Sequence, residues 1–261
     1  MDLGFKGSVA VVTAASKGLG AAIAEELARE GANLVLCSRD QISISVLADR
    51  LSKQYGVKTL GLAADVSLVR DIDMLIDHTM SEFGRVDALL CNAGGPKGGS
   101  FLSMTDEDWE KAFQTNLMST VRLIRGFYPH LKVTGGKIVT IASSSVKIPI
   151  PGLVLSNTFR AGVAGLMKTL ASELGPSGIL LNTVSPGRIL TDRVVEIDEA
   201  RAQREGKSLV QVQQEVIQEI PLGRYGQPKE LAVFAAFLLS KQNTYVTGST
   251  FFIDGGMVKA L

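Results

Sequence analysis

Seven short, continuously apolar runs recur along this chain, and helix-prone stretches separate them. A run that is apolar at every position suits a strand buried on both faces. Strands of that kind alternating with helices imply crossover connections, and hence a parallel sheet. "SVAVVT" (Ser8–Thr13) is the first such run, followed by "AAIAEELAREG", a helix closed by Gly31. "NLVLCS" (Asn33–Ser38), a helix through Leu51 and "KTLGLAA" come next. Ser67 is placed to cap the following helix, which ends near Gly84. "VDALLC" is the fourth strand, and a long helix opens at Thr105 with acids in its first turn. "KIVTIA" (Lys137–Ala142), a helix from about Ser156 to Leu174 and "GILLNTV" continue the pattern. A charged, helix-prone insert runs from Thr191 to about Ile220, and a helix from Pro228 and the strand "TFFID" finish the chain. The reading is one α/β domain over residues 1–261, doubly wound around a parallel sheet of about seven strands. Ligands then belong at the carboxyl ends of the strands.

With 261 residues, 46% of them hydrophobic and 20% charged, the chain is long enough for one large core. A net charge of +1 gives no reason to expect nucleic acid or an acidic membrane as partner. The opening "MDLGFKGSVAVVT" lacks a signal-peptide pattern, and "LAVFAAFLL" (Leu231–Leu239) is too short to span a bilayer. Cys37 and Cys91 both fall at the ends of strands expected to be buried, which fits a reducing, cytoplasmic setting without disulfides. His78 and His130 have no nearby metal partner and read as surface or packing histidines, so no metal is expected. Trp109 and Phe113 share a helix face and read as core or interface.

The first strand runs into "TAASKGLG" (Thr13–Gly20), which opens a helix. Glycines there let backbone approach a pyrophosphate, and the helix N-terminus supplies free N–H groups. The alternative is an ordinary strand-to-helix turn. Six further segments, each on the appropriate element, give the chain its resemblance. They are "CNAG" (Cys91–Gly94), "TNL" with Asn116, "IASSS" with Ser143, "RAG" at Arg160, "SPGRILT" (Ser185–Thr191) and "FIDGG".

Together these segments resemble the single-domain short-chain dehydrogenase/reductases, in a pattern like that of 3-oxoacyl-carrier-protein reductases. The resemblance spans essentially the whole chain and implies a Rossmann-type fold. The family's loop has a glycine where this chain has Ala14, whereas Gly18 and Gly20 are kept. Ala14 is tolerable at negative φ and costly at positive φ. The resemblance places the cofactor against Thr13, Ala15, Ser16, Lys17, Gly18, Leu19 and Gly20. It puts Asp65 and Val66 at the adenine, and Asn92, Ala93 and Gly94 at the ribose. Pro186, Gly187, Ile189 and Thr191 then belong at the nicotinamide. At the end of the second strand, Ser38 and Arg39 stand where an acid would select NAD(H) by repelling a 2′-phosphate. Arg39 and Lys17 suit that phosphate, so NADP(H) is favoured over NAD(H). Asp40 argues the other way, and the two cations are otherwise simply solvated.

In this family a Tyr hydroxyl exchanges a proton with the substrate oxygen, a Lys lowers the Tyr pKa and holds the ribose, and a Ser positions the carbonyl. The Tyr lies thirteen residues after the Ser and the Lys four later, one helical turn on. Counted from Ser143, those positions hold Ser156 and Arg160. Asn116, Ser143, Ser156 and Arg160 are therefore the candidate catalytic residues. "YGQPK" (Tyr225–Lys229) also fits the bare Tyr–Lys spacing, but Pro228 argues against a helical turn across it. The residue thirteen before Tyr225 is Val212.

Ser156 is expected to begin its helix as a cap, and Arg160 to face the ribose or a ligand carboxylate. Three readings stay open. One is an oxidoreductase acting on a carbonyl/alcohol pair, 3-oxoacyl-like by resemblance, that takes its proton from a held water, the substrate or Lys147. Another is an NADP-binding sensor or partner subunit with little turnover. The last is a lyase or isomerase using the same pocket. The resemblance makes residues 191–220 a lid over a small-molecule substrate, and "GGPKGGS" (Gly94–Ser100) is either substrate rim or a flexible loop. The helices holding Asn116 and "AGVAGLMKTLASELG" carry more small and apolar residues than one buried face requires. That points to a homo-oligomer, a dimer or tetramer.

Overall fold

The computed structural model describes residues 2–260, so the two end residues of the expected domain lie outside the described residues. Strands β1 (Val9–Val12), β2 (Asn33–Ser38), β3 (Thr59–Ala63), β4 (Ala88–Cys91), β5 (Lys137–Ile141), β6 (Leu180–Pro186) and β7 (Thr250–Ile253) form one sheet. Every pairing is parallel and the order is β3-β2-β1-β4-β5-β6-β7. The chain winds outward from β1 to β3, then returns to the middle and winds the other way from β4. The reversal lies between β1 and β4, and the crevice above that point is where an open parallel sheet takes ligands.

Helices α1 (Gly18–Arg29), α2 (Gln41–Tyr55) and α9 (Pro228–Leu239) cover one face. Their Ile23, Leu27 and Leu231 pack on Val12, Leu34 and Leu90. Helices α3 (Val69–Phe83), α5 (Ser119–Thr134) and α6 (Val154–Leu174) cover the other, packing Leu75, Phe127 and Met167 on Val11, Val35 and Leu89. Successive strand residues thus alternate between two cores, the physical reason why these runs are apolar throughout. Each fully buried Leu, Val or Phe contributes about 1.5–3 kcal/mol. No helix among the described residues is long and apolar enough to cross a membrane.

Helix α4 (Asp106–Phe113) begins at Thr105, whose side chain accepts from the Asp108 N–H at 3.3 Å while Asp108 accepts from the Thr105 N–H. Between α4 and α5 the helix widens into a π-turn over Gln114–Met118, where Asn116 sits. Trp109 and Phe113 meet Phe159 at ring distances of 5.8 and 6.1 Å, which assigns them to a small core between α4 and α6.

Two expected caps are not observed. Ser67 does not cap α3. Its hydroxyl and N–H both bond Asp65 Oδ1, at 2.7 and 2.9 Å, and Leu68 holds the cap position. An Asp two residues back competes for that serine and draws it into an Asx turn. Ser156 does not begin α6 either, since the helix starts at Val154 with Leu153 at its cap. The start is set from outside the helix. Gly99 accepts from the Val154 N–H and donates to the Gly152 carbonyl, and Asn157 clasps both backbone groups of Ile150.

Candidate active site

The β1–α1 turn is fixed by the neighbouring strand ends. Thr13 Oγ1 donates to the Asn92 carbonyl at 2.7 Å and accepts from the Asn92 N–H at 2.9 Å. The Ala15 N–H donates to Cys37, and Asn92 Nδ2 donates to Ala14 at 3.3 Å. These bonds hold Ala14 at φ 48, the one positive φ at a non-glycine among the described residues. The substitution therefore falls at the costly kind of position, because Cβ crowds the following carbonyl by about 1–2 kcal/mol. Gly20 buries the turn from the other side, where a Cβ would lie 2.4 Å from the Ala14 carbonyl oxygen. Ala14→Gly is expected to raise stability by up to about 1 kcal/mol, less than the full strain because glycine also loosens the unfolded chain. For a chain of this size that is a Tm increase of about 2–4 °C in calorimetry, and a lower Tm would contradict it.

Lys17 stands at the cap of α1 without capping it through its side chain, and no acid occupies the first turn, so that turn is open to an anion. The Lys17 ammonium lies 3.3 Å from Asp192, an exposed pair. At the end of β2, Ser38 is buried with its hydroxyl on the Asp40 carbonyl at 3.0 Å. Arg39 is exposed, with no side-chain partner among the described residues. Asp40 caps α2 by accepting the Ser43 N–H at 2.7 Å, and the Ser43 hydroxyl together with that N–H holds its carboxyl below the usual range. Asp65 is half-buried and Val66 is buried beside the end of β3.

Three of the catalytic candidates, Ser143, Asn116 and Arg160, converge on the ends of β4 and β5. Ser143 follows β5, and its Oγ accepts from the Ser145 N–H at 3.1 Å. Asn116 is 2% exposed. Its Nδ2 donates to the Gly94 carbonyl at 2.8 Å, and its Oδ1 has no partner among the described residues. Ser156 is half-buried in the first turn of α6, with no hydrogen bond to its hydroxyl among the described residues. The expected occupation of that hydroxyl by a backbone N–H is therefore absent. Arg160, one turn on, donates through Nη1 to the Ile141 carbonyl at 2.5 Å and through Nη2 to the Ala93 carbonyl at 3.2 Å. Burial and the nearby Arg193 bring its pKa down to about 10.

Pro186, Gly187, Ile189 and Thr191 line the exit of β6, where Gly187 packs on Asp254 and Thr191 approaches Gly18. Helices α7 (Asp192–Glu205) and α8 (Leu209–Glu219) follow as a pair closed around Ala202, Val212 and Val216. The pair is tied down by Asp198, which accepts from Arg188 Nη1 at 2.9 Å and from the Tyr225 hydroxyl at 2.7 Å. Arg193, in the first turn of α7, donates to the Pro96 carbonyl at 2.7 Å. "GGPKGGS" is thus drawn to two other segments, at Pro96 and at Gly99.

No tyrosine has moved in to replace the missing phenol. The chain has four: Tyr55 bonds Glu25, Tyr128 bonds Ser177, Tyr225 bonds Asp198, and Tyr245 is exposed. Burial pushes the Tyr225 phenol up, away from service as an acid. Pro228 opens α9, so "YGQPK" is not one helical turn. Cys37 and Cys91 are buried free thiols, and burial pushes Cys37 up to about 12. Sequence reading assigned nothing to Arg193 or Asp198. The only hint was their place in a charged insert directly after Thr191.

The family pattern described as enoyl-(acyl carrier protein) reductase matches residues 13–258. Dehydrogenase/reductase SDR family member 4 of Caenorhabditis elegans is 33% identical over 255 residues, covering 97% of this chain and 96% of that protein. The 3-oxoacyl-(acyl-carrier-protein) reductase of Escherichia coli is 34% identical over 256 residues, covering 98% and 99%. L-sorbose reductase of Gluconobacter frateurii, solved with NADPH and L-sorbose, superposes with a TM-score of 0.95 at 35% identity over the full length of both chains.

Proposed function

Because the chain belongs to the short-chain dehydrogenase/reductase family, we propose that it binds NADP(H) and acts as an oxidoreductase on a carbonyl/alcohol pair, 3-oxoacyl-like, without a phenolic acid. The observation that carries this reading is the set of strand-end groups at the β1/β4 reversal. An uncapped α1 turn with the buried Gly20 lies at one side of the reversal, and Asn116 and Arg160 hold the Gly94 and Ala93 carbonyls at the other. NADP(H), when bound, supplies or accepts the hydride. The turn Thr13–Gly20 would hold its pyrophosphate, Asp65 and Val66 its adenine, Asn92–Gly94 and Arg160 its ribose, and Pro186–Thr191 its nicotinamide end. These residues fit the group. The first turn of α1 has neither an acid nor a side-chain cap, Gly20 lets the turn close tightly against Ala14 and Asn92, and Asn116 Oδ1 is a buried acceptor still needing a donor.

Ser143 is the group left to donate to a substrate oxygen, and Asn116 holds the Gly94 carbonyl behind it. Ser156 offers an aliphatic hydroxyl, a far weaker acid than a phenol, so proton delivery falls to water held by Ser143 and Ser156, to Lys147 or to the substrate itself. One observation favours a second reading, binding with little turnover. The Arg160 guanidinium is tied to two carbonyls and has no phenol to acidify.

Preference for NADP(H) rests on Arg39 and on Asp40. The former is free to meet a 2′-phosphate, and the latter is engaged as a cap. Arg39→Ala should weaken NADPH about 10–100-fold in calorimetry, the worth of a charge-assisted bond to phosphate, and leave NADH nearly unchanged. Equal loss for both, or for neither, would place the phosphate elsewhere. Lys17 could join Arg39 by leaving Asp192, since an exposed pair is worth little.

The protein is further proposed to be a cytoplasmic homodimer or tetramer, with residues 191–220 as a lid. Helix α6 exposes Ala161, Gly162 and Gly165, a strip of small residues against which a second copy could pack closely. Light scattering at micromolar concentration should give at least twice the 27.8 kDa chain mass, and a monomer would contradict this.

A further inference from the structure

Arg160 is a buried cation without an anion. It is 7% exposed, and no carboxylate lies within ion-pair distance of it among the described residues. Two of its five N–H groups go to neutral carbonyls, those of Ile141 and Ala93. An unpaired buried charge costs several kcal/mol, which two carbonyl dipoles offset only in part. The charge that acts on it is another cation, Arg193.

These arginines come from different elements, α6 and α7, and grip opposite ends of one short segment. Arg160 holds the Ala93 carbonyl, Asn116 the Gly94 carbonyl and Arg193 the Pro96 carbonyl. Arg193 also crowds Gly95, where a Cβ would come within 2.9 Å of its Nε. Its one acidic partner among the described residues is Glu196 at 3.3 Å, with Arg193 partly and Glu196 more fully exposed, so that pair neutralises little.

We propose that the substrate carries a carboxylate, which the pocket seats between Arg160 and Arg193. This rests on the oxidoreductase reading above. The planar fork of a guanidinium matches a carboxylate, and an anion between two like charges turns their repulsion into attraction. The cofactor's phosphates have their own partners at the open α1 turn and Arg39. The ribose that Arg160 would also touch brings only neutral hydroxyls, so the charge of Arg160, tied to the ends of β4 and β5, still lacks an anion.

Calorimetry of the intact protein, with and without NADPH, tests this with acetoacetate and 2-oxobutanoate, each beside its methyl ester. At least one acid should bind ten times more tightly than its ester. Arg193→Gln should cost that acid at least tenfold while changing ester and NADPH affinity less than twofold. Arg193→Lys, which keeps the charge, should recover part of the loss. Equal binding of acid and ester, or no binding of either acid, would overturn the proposal. So would an Arg193→Gln variant that weakens NADPH as much as the acid, because the anion would then be the cofactor's. Failure of NADPH itself to bind would bring down the cofactor reading, and the acid–ester comparison in cofactor-free protein would still decide this one.

Discussion

Replacing Ser156→Tyr and Arg160→Lys together should raise the reduction of simple ketones and 3-oxoacyl thioesters by about 10²-fold or more, because a positioned general acid is worth roughly 10²–10⁴ in rate. Position 156 lies in the first turn of α6 and position 160 one turn later, so the new pair shares a helix face. Ser143 and Asn116 are already at the strand ends beside them. Neither single change should suffice. A tyrosine alone would meet a guanidinium already committed to the Ile141 and Ala93 carbonyls, and a lysine alone supplies no hydroxyl. Steady-state NADPH oxidation measures the effect. Rapid oxidation by the wild type that disappears in Ser156→Ala would contradict this account and make Ser156 the catalytic hydroxyl.

Asp198→Ala should loosen the 191–220 unit. The Asp198 side chain is 1% exposed and holds both Arg188 and Tyr225. Removing it strands the Arg188 guanidinium, itself largely buried, and breaking a buried pair from one side costs about 3–5 kcal/mol. The loss should appear locally, as amide exchange across α7 at least about 100-fold faster than in the wild type. Since Arg188 directly precedes Ile189, proposed with Thr191 to hold the nicotinamide end, NADPH affinity should fall too. Asp198→Asn keeps the shape and one acceptor, so it should be milder. Unchanged exchange in Asp198→Ala would mean that the apolar contacts of Ala202, Val212 and Val216 hold the unit unaided.

The fold was legible because its determinants are local and periodic. Val9–Val12 and Asn33–Ser38 are apolar on both faces, and that pattern already demands helices on each side. The register of Ser143, Ser156 and Arg160 was legible because a helical turn fixes their spacing. What escaped depends on competition or on distance. Ser67 is flanked by Asp65, and nothing in its own propensity says which bond it makes. Asp40 has the residue type and the place of a cap just before α2, and its charge alone does not reveal that its carboxylate is engaged there. The partners of Arg160 lie 19 and 67 residues away, and that of Arg193 lies 97 residues away. No pattern in a single chain reports contacts of that kind. Ala14 lies between: the exchange was visible as a departure from the family, but its φ is set by bonds to Asn92 and Cys37 on other strands.

The central claim is an intact NADP(H) site beside an incomplete proton relay. Titration calorimetry of the wild-type protein with NADPH and NADH, run before any substrate is sought, tests it most directly. The account predicts one NADPH per chain, bound at least tenfold more tightly than NADH. No binding of either, or tighter binding of NADH, would contradict it.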